Sequence, residues 1–152
     1  MQMTVSQILD KKGRSVWSIS PGTSVYDALK LMADKGIGAL IVIDGDKTVG
    51  MFSERDYARK VVLKGRWSKE TPVAEVMTEA VCYVPPWRTL DECMALMTDK
   101  RFRHLPVLEE GKLIGIVSIG DVVSAIIAEQ EFAIRQLEAF VDEALKNKPQ
   151  KP

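Results

Sequence analysis

The sequence is poor in the residues that bind metals or act as nucleophiles. It contains one histidine, His104, and two cysteines, Cys82 and Cys93. These three have no close ligand spacing, so we predict neither a zinc site nor a disulfide, and both thiols are expected to be small buried apolar groups. Little else in the chain suits nucleophilic catalysis, and the sequence therefore predicts that the protein is not an enzyme.

The sequence also lacks an excess of either charge and any long apolar run. Its 21 basic residues balance 21 acidic residues, so no overall field favours a nucleic acid or an anionic membrane as a partner. The longest strongly apolar run, residues 37–43, has the length of a strand, and residues 1–10 lack the pattern of a signal peptide. A cytoplasmic location without membrane or nucleic-acid binding is predicted.

An internal repeat organises the chain. Residues 15–58 and 80–123 align without a gap at an offset of 65, with 12 identities in 44 positions, where composition alone would give about three. Each copy predicts the order strand, helix, strand, strand, helix, preceded by a further short helix. The predicted strands cover residues 16–19, 39–43 and 48–53 in the first copy, and 81–84, 105–108 and 113–118 in the second. The corresponding helices cover about 24–36, 54–63 and 89–99, and a long one starts at residue 119.

One such β-α-β-β-α unit is too small to close a core alone. We therefore predict an α/β (α+β) fold in which two units pack about a pseudo-twofold axis. The predicted divisions are repeat 1 over residues 1–65, repeat 2 over 66–128, and a C-terminal helix and tail over 129–152. Such a pair places strand ends of both copies along shared clefts, where ligands commonly bind in α/β proteins.

The most specific motif occurs once in each copy, where a strand starting with glycine ends in Ser-x-x-Asp. The pairs are Ser53 with Asp56 and Ser118 with Asp121. One interpretation is a helix cap, in which serine and the acid satisfy the first amides of a helix. The other is recognition of a ribose and its phosphates by a short carboxylate and the start of a helix. Both can hold at once.

A second motif is a cationic segment just ahead of a predicted strand. It contains Lys100, Arg101, Arg103 and His104, and Arg55 is a further candidate cation. Such a run is often a solvated loop, but arginine also matches phosphate geometry. At the corresponding positions the first copy has Lys35 followed by Gly36, Ile37, Gly38 and Ala39, so the two clefts are predicted to differ chemically.

Together these motifs resemble tandem cystathionine β-synthase (CBS) domains, also called a Bateman module. The resemblance covers residues 4–127 and implies binding of an adenosine-containing ligand such as AMP, ADP, ATP or NAD, with no metal required. It implies that the two aspartates hold ribose hydroxyls and that the two serines contact ribose or phosphate. Phosphate contacts are implied for Arg101, Arg103 and His104. Backbone contacts to adenine are implied at Ile37, Gly38 and Ala39 and in the strand at 81–84.

The resemblance implies a regulatory sensor that acts in signal transduction, with its regulated target on another protein. Two other functions stay open: a purely structural dimerisation module, and a weak nucleotide-hydrolysing enzyme. A long amphipathic helix from residue 121 to about 147 leaves an apolar stripe at 132–145 with no evident core to cover. It either folds back on its own repeat or contacts a twofold mate, and a homodimer is the predicted state.

Overall fold

A computed structural model describes residues 3–147. It contains the two predicted repeats and the long C-terminal helix. The first repeat comprises α1 (Val5–Lys12), β1 (Ser18–Ile19), α2 (Val25–Lys35), β2 (Ala39–Asp44), β3 (Lys47–Ser53) and α3 (Glu54–Asp56), which continues as a π-helix over Tyr57–Val62. The second comprises a 3-10 turn (Val73–Glu75), α4 (Leu90–Lys100), β4 (His104–Glu109), β5 (Lys112–Ser118) and α5 (Ile119–Lys146). The tail residues 148–152 lie outside the described residues.

The two sheets repeat the same pairing at the offset of 65. In the first sheet, β1 is parallel to β2 and β2 is antiparallel to β3. In the second, β4 is antiparallel to β5, and both hairpins shift register at the equivalent step. The equivalent helices α2 and α4 start at the equivalent caps Ser24 and Thr89, whose side chains accept an amide hydrogen bond. The repeat read from the sequence is therefore confirmed as a structural repeat.

The strand predicted at residues 81–84 is wrong, because only Val84 pairs, through one parallel bridge to Val107. In the first copy the Ile41 amide donates to the Trp17 carbonyl and extends the ladder. The residue equivalent to Ile41 in the second copy is Pro106, which has no amide hydrogen. The pairing therefore ends after one bridge.

Three other elements differ from the prediction. The strand predicted at residues 16–19 is only Ser18–Ile19. The helix expected from residue 54 to about 63 is α-helical only to Asp56 and then widens into the π-helix. The short helix expected ahead of the second copy is only the 3-10 turn. Of the two thiols expected to be buried, Cys93 is buried, and burial raises its pKa to about 11. Cys82 is half-buried and lines a cavity.

The two cores exchange the segments that precede the repeats. Helix α1, ahead of the first repeat, packs Val5 and Leu9 into the core of the second repeat. The segment ahead of the second repeat packs Val73 and Val76 into the core of the first. The exchange is fixed by main-chain hydrogen bonds, such as that from the Val5 amide to the Arg88 carbonyl at 2.9 Å. The halves are therefore held together by core packing.

Helix α5 extends beyond both cores. Its first turns pack Val122 against the second core, and it contacts α4, α1 and β5. The later large apolar side chains are exposed, so the alternative in which this part folds back onto its own repeat is wrong. They are Phe132, Ile134, Leu137, Phe140, Val141 and Leu145. Within residues 3–147, no helix is long and apolar enough to cross a membrane.

Candidate functional site

The Ser-x-x-Asp motif caps a helix in both repeats. The Ser53 and Ser118 side chains accept the amide hydrogens of Asp56 and Asp121, at 3.2 and 3.1 Å. Each carboxylate in turn accepts the amide hydrogen of its serine, at 3.0 and 2.8 Å. The capping interpretation is therefore confirmed for both copies, and it fixes each carboxylate at the start of its helix.

The glycine that opens each motif allows close packing by the segment ahead of the other repeat. A Cβ on Gly50 would lie 2.8 Å from the Thr78 carbonyl oxygen, and one on Gly115 would lie 2.7 Å from a methyl group of Leu9. Thr78 also pairs with Met51 in both directions through main-chain hydrogen bonds of 2.8 and 2.9 Å. The exchanged segments thus reach the edge of the motif strands.

Asp56 has no unused acceptor position. Its side chain is 10% exposed, and Oδ2 accepts both the amide and the hydroxyl of Ser53. Oδ1 accepts the Thr78 hydroxyl at 2.9 Å and lies 3.1 Å from the Lys60 ammonium. A carboxylate has about four lone-pair positions, and these four groups fill them.

Asp121 has one oxygen available. Its Oδ2 accepts the Ser118 amide and the Lys12 ammonium, the latter at 2.6 Å, while within residues 3–147 no hydrogen-bond donor reaches Oδ1. The side chain is 25% exposed. Burial acts to raise the pKa of Asp121, but the Lys12 and Ser118 hydrogen bonds outweigh it, so the pKa lies below its ordinary value. Asp121 is therefore an anion with a free acceptor.

Two cavities lie between the repeats, and the larger is strongly cationic. It has a volume of about 860 Å³. Its wall includes Asp56 from the first repeat, together with a set of cations: Arg55, Arg59, Lys60, Lys100, Arg101 and Arg103. The pKa of Arg55 lies below its ordinary value. The largest cause is the nearby guanidinium of Arg59, followed by loss of hydration and then by the charges of Arg103 and Arg101. These cations repel one another, as expected of a site that receives an anion.

Arg101 ends α4 in the left-handed conformation, with φ 58°, where the equivalent Gly36 has φ 64°. Only glycine adopts this conformation without cost. The Arg101 carbonyl also accepts a hydrogen bond from Arg55 at 3.0 Å. A strained arginine at this wall is consistent with a binding role.

The smaller cavity, of about 410 Å³, contains the available carboxylate. Its wall includes Asp121 and Lys12 together with Trp17 and residues 36–39. Gly38, His104 and Ser118 line both cavities. Burial, followed by the Lys12 ammonium, lowers the pKa of His104 below its ordinary value. A neutral imidazole is therefore expected at the boundary between the cavities at pH 7.

Comparison with known proteins identifies the family. Residues 5–63 and 73–128 match the model of the CBS domain. The chain belongs to the CBS-domain family. The CBS domain-containing protein CBSX3, mitochondrial, from Arabidopsis thaliana is 39% identical over 148 residues, which cover 91% of this chain and 71% of that protein.

Solved structures give the same assignment. A CBS-domain protein from Burkholderia ambifaria MC40-6 is 58% identical with a TM-score of 0.81, covering 84% of this chain and 96% of that one. A hexameric CBS-CP12 protein from bloom-forming cyanobacteria is 26% identical with a TM-score of 0.75, covering 98% and 88%. CBS-domain proteins are generally regulatory and often bind adenosine-containing ligands.

The CBS pair distributes the predicted site residues between two cavities. Ser53, Arg55, Asp56, Arg101 and Arg103 line the larger cavity; Ile37, Ala39 and Asp121 line the smaller; Gly38, His104 and Ser118 line both. The two predicted stretches for adenine are only partly brought together: Ile37 and Ala39 line only the smaller cavity, and Val81 lines only the larger, which it shares with Gly38. Each cavity of the CBS pair thus combines the motif aspartate of one repeat with the residues that precede β2 or β4 in the other repeat.

Sequence reasoning missed five side chains that the argument uses at the CBS cavities, among them Trp17. Arg59 and Lys60 follow Asp56 by three and four residues, and helical spacing could have placed them beside it. Lys12 and Thr78 lie outside the aligned copies, so the repeat gave no signal for them. No group of three or more potential metal ligands occurs in the described part of the CBS pair.

Proposed function

We propose that this CBS pair is a regulatory sensor that binds an adenine nucleotide between its repeats and is not itself catalytic. The observation that carries this proposal is the free Oδ1 of Asp121 in a cavity that adjoins a cluster of cations. A fixed carboxylate oxygen accepts hydrogen bonds from vicinal ribose hydroxyls. The cations then offer phosphate contacts across the shared wall.

The nucleotide fits the smaller cavity by its nucleoside end. Residues 37–39 line this cavity, where an adenine ring would contact them, and Trp17 adds an aromatic surface. The Ile37 amide and the Gly38 carbonyl are already hydrogen-bonded to Met32 and Glu54. Arg103 and Arg101 line the larger cavity, which shares Gly38 and His104 with the smaller one, and a chain of phosphates would extend into it. AMP, ADP, ATP and NAD all share this combination of adenine, ribose and phosphate.

Binding is proposed to regulate a separate protein in signal transduction. A ligand shifts a conformational equilibrium only through different affinities for the two states. Here the cavity walls come from both repeats, so their relative position is the property that a bound nucleotide changes. The Burkholderia relative is described as a candidate signal-transduction protein, and we propose the same class of role, in the cytoplasm.

Calorimetric titration with AMP, ADP, ATP, NAD and adenosine tests the site. Asp121→Asn should weaken binding by about 1–3 kcal/mol, because the neutral amide is a poorer acceptor. This loss corresponds to a change in affinity of about 5-fold to 150-fold. Asp27→Asn is the matched control, since Asp27 occupies the same place after its cap Ser24 but lines neither cavity. Equal affinities for the two variants would remove Asp121 from the site.

The role of the cations is tested separately with Arg103→Ala. This variant should lose more affinity for ATP or NAD than for adenosine, because only the former carry phosphates. Equal losses for all three ligands would make Arg103 a structural residue.

Two further measurements separate the proposal from the other functions. The complete capping of both helices is consistent with a purely structural module, which no adenine nucleotide would stabilise. A true ligand at 100 times its dissociation constant should add about 2.7 kcal/mol to the free energy of unfolding. Recovering the bound nucleotide unconverted after incubation would support a sensor, whereas stoichiometric or greater hydrolysis would support an enzyme.

A further inference from the structure

We infer that Lys12 recognises the sugar of the ligand together with Asp121. This inference rests on the proposed function, and it adds a residue from α1 to the nucleotide site. One hydroxyl of the ribose donates a hydrogen bond to Oδ1 of Asp121, and the neighbouring hydroxyl accepts one from the Lys12 ammonium. Lys12 is thereby a specificity-determining residue, which makes the smaller cavity selective for an intact ribose over a deoxyribose.

The Lys12 ammonium is fixed at the wall of the smaller cavity by two acceptors. It donates to the Ile116 carbonyl at 2.8 Å and to Oδ2 of Asp121 at 2.6 Å. The lysine side chain is still 36% exposed, and it lines the same cavity as Asp121. An ammonium group carries three N–H donors, and residues 3–147 provide acceptors for two of them. The third hydrogen is therefore available to a ligand.

Asp121 alone provides one oxygen for a pair of hydroxyls. A carboxylate oxygen has about two lone-pair positions, and those of Oδ2 are filled by the Ser118 amide and the Lys12 ammonium. A hydroxyl that lies beside Oδ2 finds no free acceptor there, but it meets the ammonium 2.6 Å from that oxygen. Since a hydroxyl accepts hydrogen bonds as well as donating them, the lysine supplies the missing partner.

The first repeat shows a contrasting arrangement. Its aspartate, Asp56, also receives a donor from the segment ahead of the other repeat, but this donor is the Thr78 hydroxyl. A hydroxyl has a single hydrogen, and Thr78 uses it on Asp56 at 2.9 Å. Thr78 therefore helps to saturate its aspartate, whereas Lys12 occupies one oxygen of Asp121 and adds a donor to the cavity.

The sugar is favoured over the phosphates as the partner of Lys12. Lys12 lines only the smaller cavity, whereas Arg101 and Arg103 line only the larger one. The phosphates thus have cations of their own. The positive charge of Lys12 is also offset by direct contact with Asp121, which weakens its attraction for a phosphate.

Calorimetric titration of the full chain with AMP, 2′-deoxy-AMP and 3′-deoxy-AMP tests this assignment. Lys12→Met removes the ammonium and keeps a side chain of similar length. It should weaken AMP binding by about tenfold or more, which is the effect of losing a hydrogen bond to a charged group. The deoxy nucleotide that lacks the hydroxyl bound by Lys12 should lose much less, because that hydrogen bond is already absent from its complex.

Lys11→Met is the matched control, because Lys11 precedes Lys12 in the last turn of α1 but lines neither cavity. It should leave all three affinities unchanged. Lys12→Ala provides a second variant should the methionine side chain disturb the fold, and it should show the same ligand-dependent loss.

Two outcomes overturn the inference and leave the proposed nucleotide site intact. One is an equal loss for all three nucleotides in the Lys12 variants, because the lysine would then act only through its charge or on the position of Asp121. The other is a wild-type chain that binds AMP and both deoxy nucleotides equally. A wild-type chain that binds no adenine nucleotide would refute the proposed function and this inference together.

Discussion

Replacing Asp56 by alanine should damage the fold far more than the same change at Asp121. The Asp56 carboxylate accepts the Ser53 amide, the Ser53 hydroxyl and the Thr78 hydroxyl, and it also pairs with Lys60. Truncation removes the acceptor of three protein donors in a residue that is 8% exposed. The Ser53 hydroxyl keeps the hydrogen bond that it accepts from the Asp56 amide, so the Ser53 amide and the Thr78 hydroxyl are the two donors left unpaired. The lysine side chain is 44% exposed and regains water, so its pairing contributes only about 0.5 kcal/mol.

The magnitude follows from these contacts. Two hydrogen bonds to a charged acceptor contribute about 1.5–3 kcal/mol each, and partial relaxation reduces their sum. We expect Asp56→Ala to lower the free energy of unfolding by about 3 kcal/mol, or the melting temperature by about 10 °C for a chain of this size. Asp121→Ala should cost about 1–2 kcal/mol, because it loses one amide partner and a partly exposed ion pair.

Urea unfolding followed by far-UV circular dichroism measures both costs, with Asp27→Ala as a control at an exposed helix start. The control should cost less than about 1 kcal/mol, which is the scale of an acid near a helix N-terminus. Equal losses for Asp56→Ala and Asp121→Ala would refute the assignment of a mainly structural role to the first and a binding role to the second.

Three other changes have defined outcomes. Arg101→Gly should raise the melting temperature, because glycine relieves the strain of the left-handed conformation by about 1 kcal/mol. The same change should weaken the binding of inorganic tripolyphosphate. An unchanged melting temperature would contradict the presence of strain at Arg101. Because burial lowers the pKa of His104 in the folded state, the unfolded state binds more protons as the pH falls below about 6.5. Stability should be lost below that pH, and His104→Asn should flatten the profile in urea titrations. Gly50→Ala should destabilise by about 1–3 kcal/mol, because the added methyl group meets the main-chain carbonyl of Thr78; a neutral result in thermal melts would disprove the close contact.

The repeat made most of the fold predictable. A constant offset of 65 residues located both hairpins and the helices α2 and α4, because the same pattern of apolar residues and caps occurs twice. The prediction of a strand at residues 81–84 was wrong for a local reason. Pro106, in the neighbouring strand β4, has no amide hydrogen to donate, and strand propensity considers only the residues of the strand itself. Helix α1 was predicted as a helix, but its amphipathic pattern did not indicate which core it covers.

The sequence predicted which residues line the candidate site, but not which of them share a cavity. The motifs selected side chains that line the two cavities, yet the sequence did not show that Asp56 shares its cavity with the cations and Asp121 with residues 36–39. That grouping depends on how the two repeats face each other. The difference between a saturated and an open carboxylate depends on Lys12 and Thr78, which are distant in sequence from the motifs they complete.

The exchange of α1 and the 73–76 segment has a consequence for how the chain comes apart. Each repeat contributes a segment that completes the hydrophobic core of the other, so neither repeat can unfold while the other stays folded. Calorimetry should accordingly register one cooperative endotherm. A truncation that removes α1 should loosen the distant second repeat, although every residue of that repeat is still present.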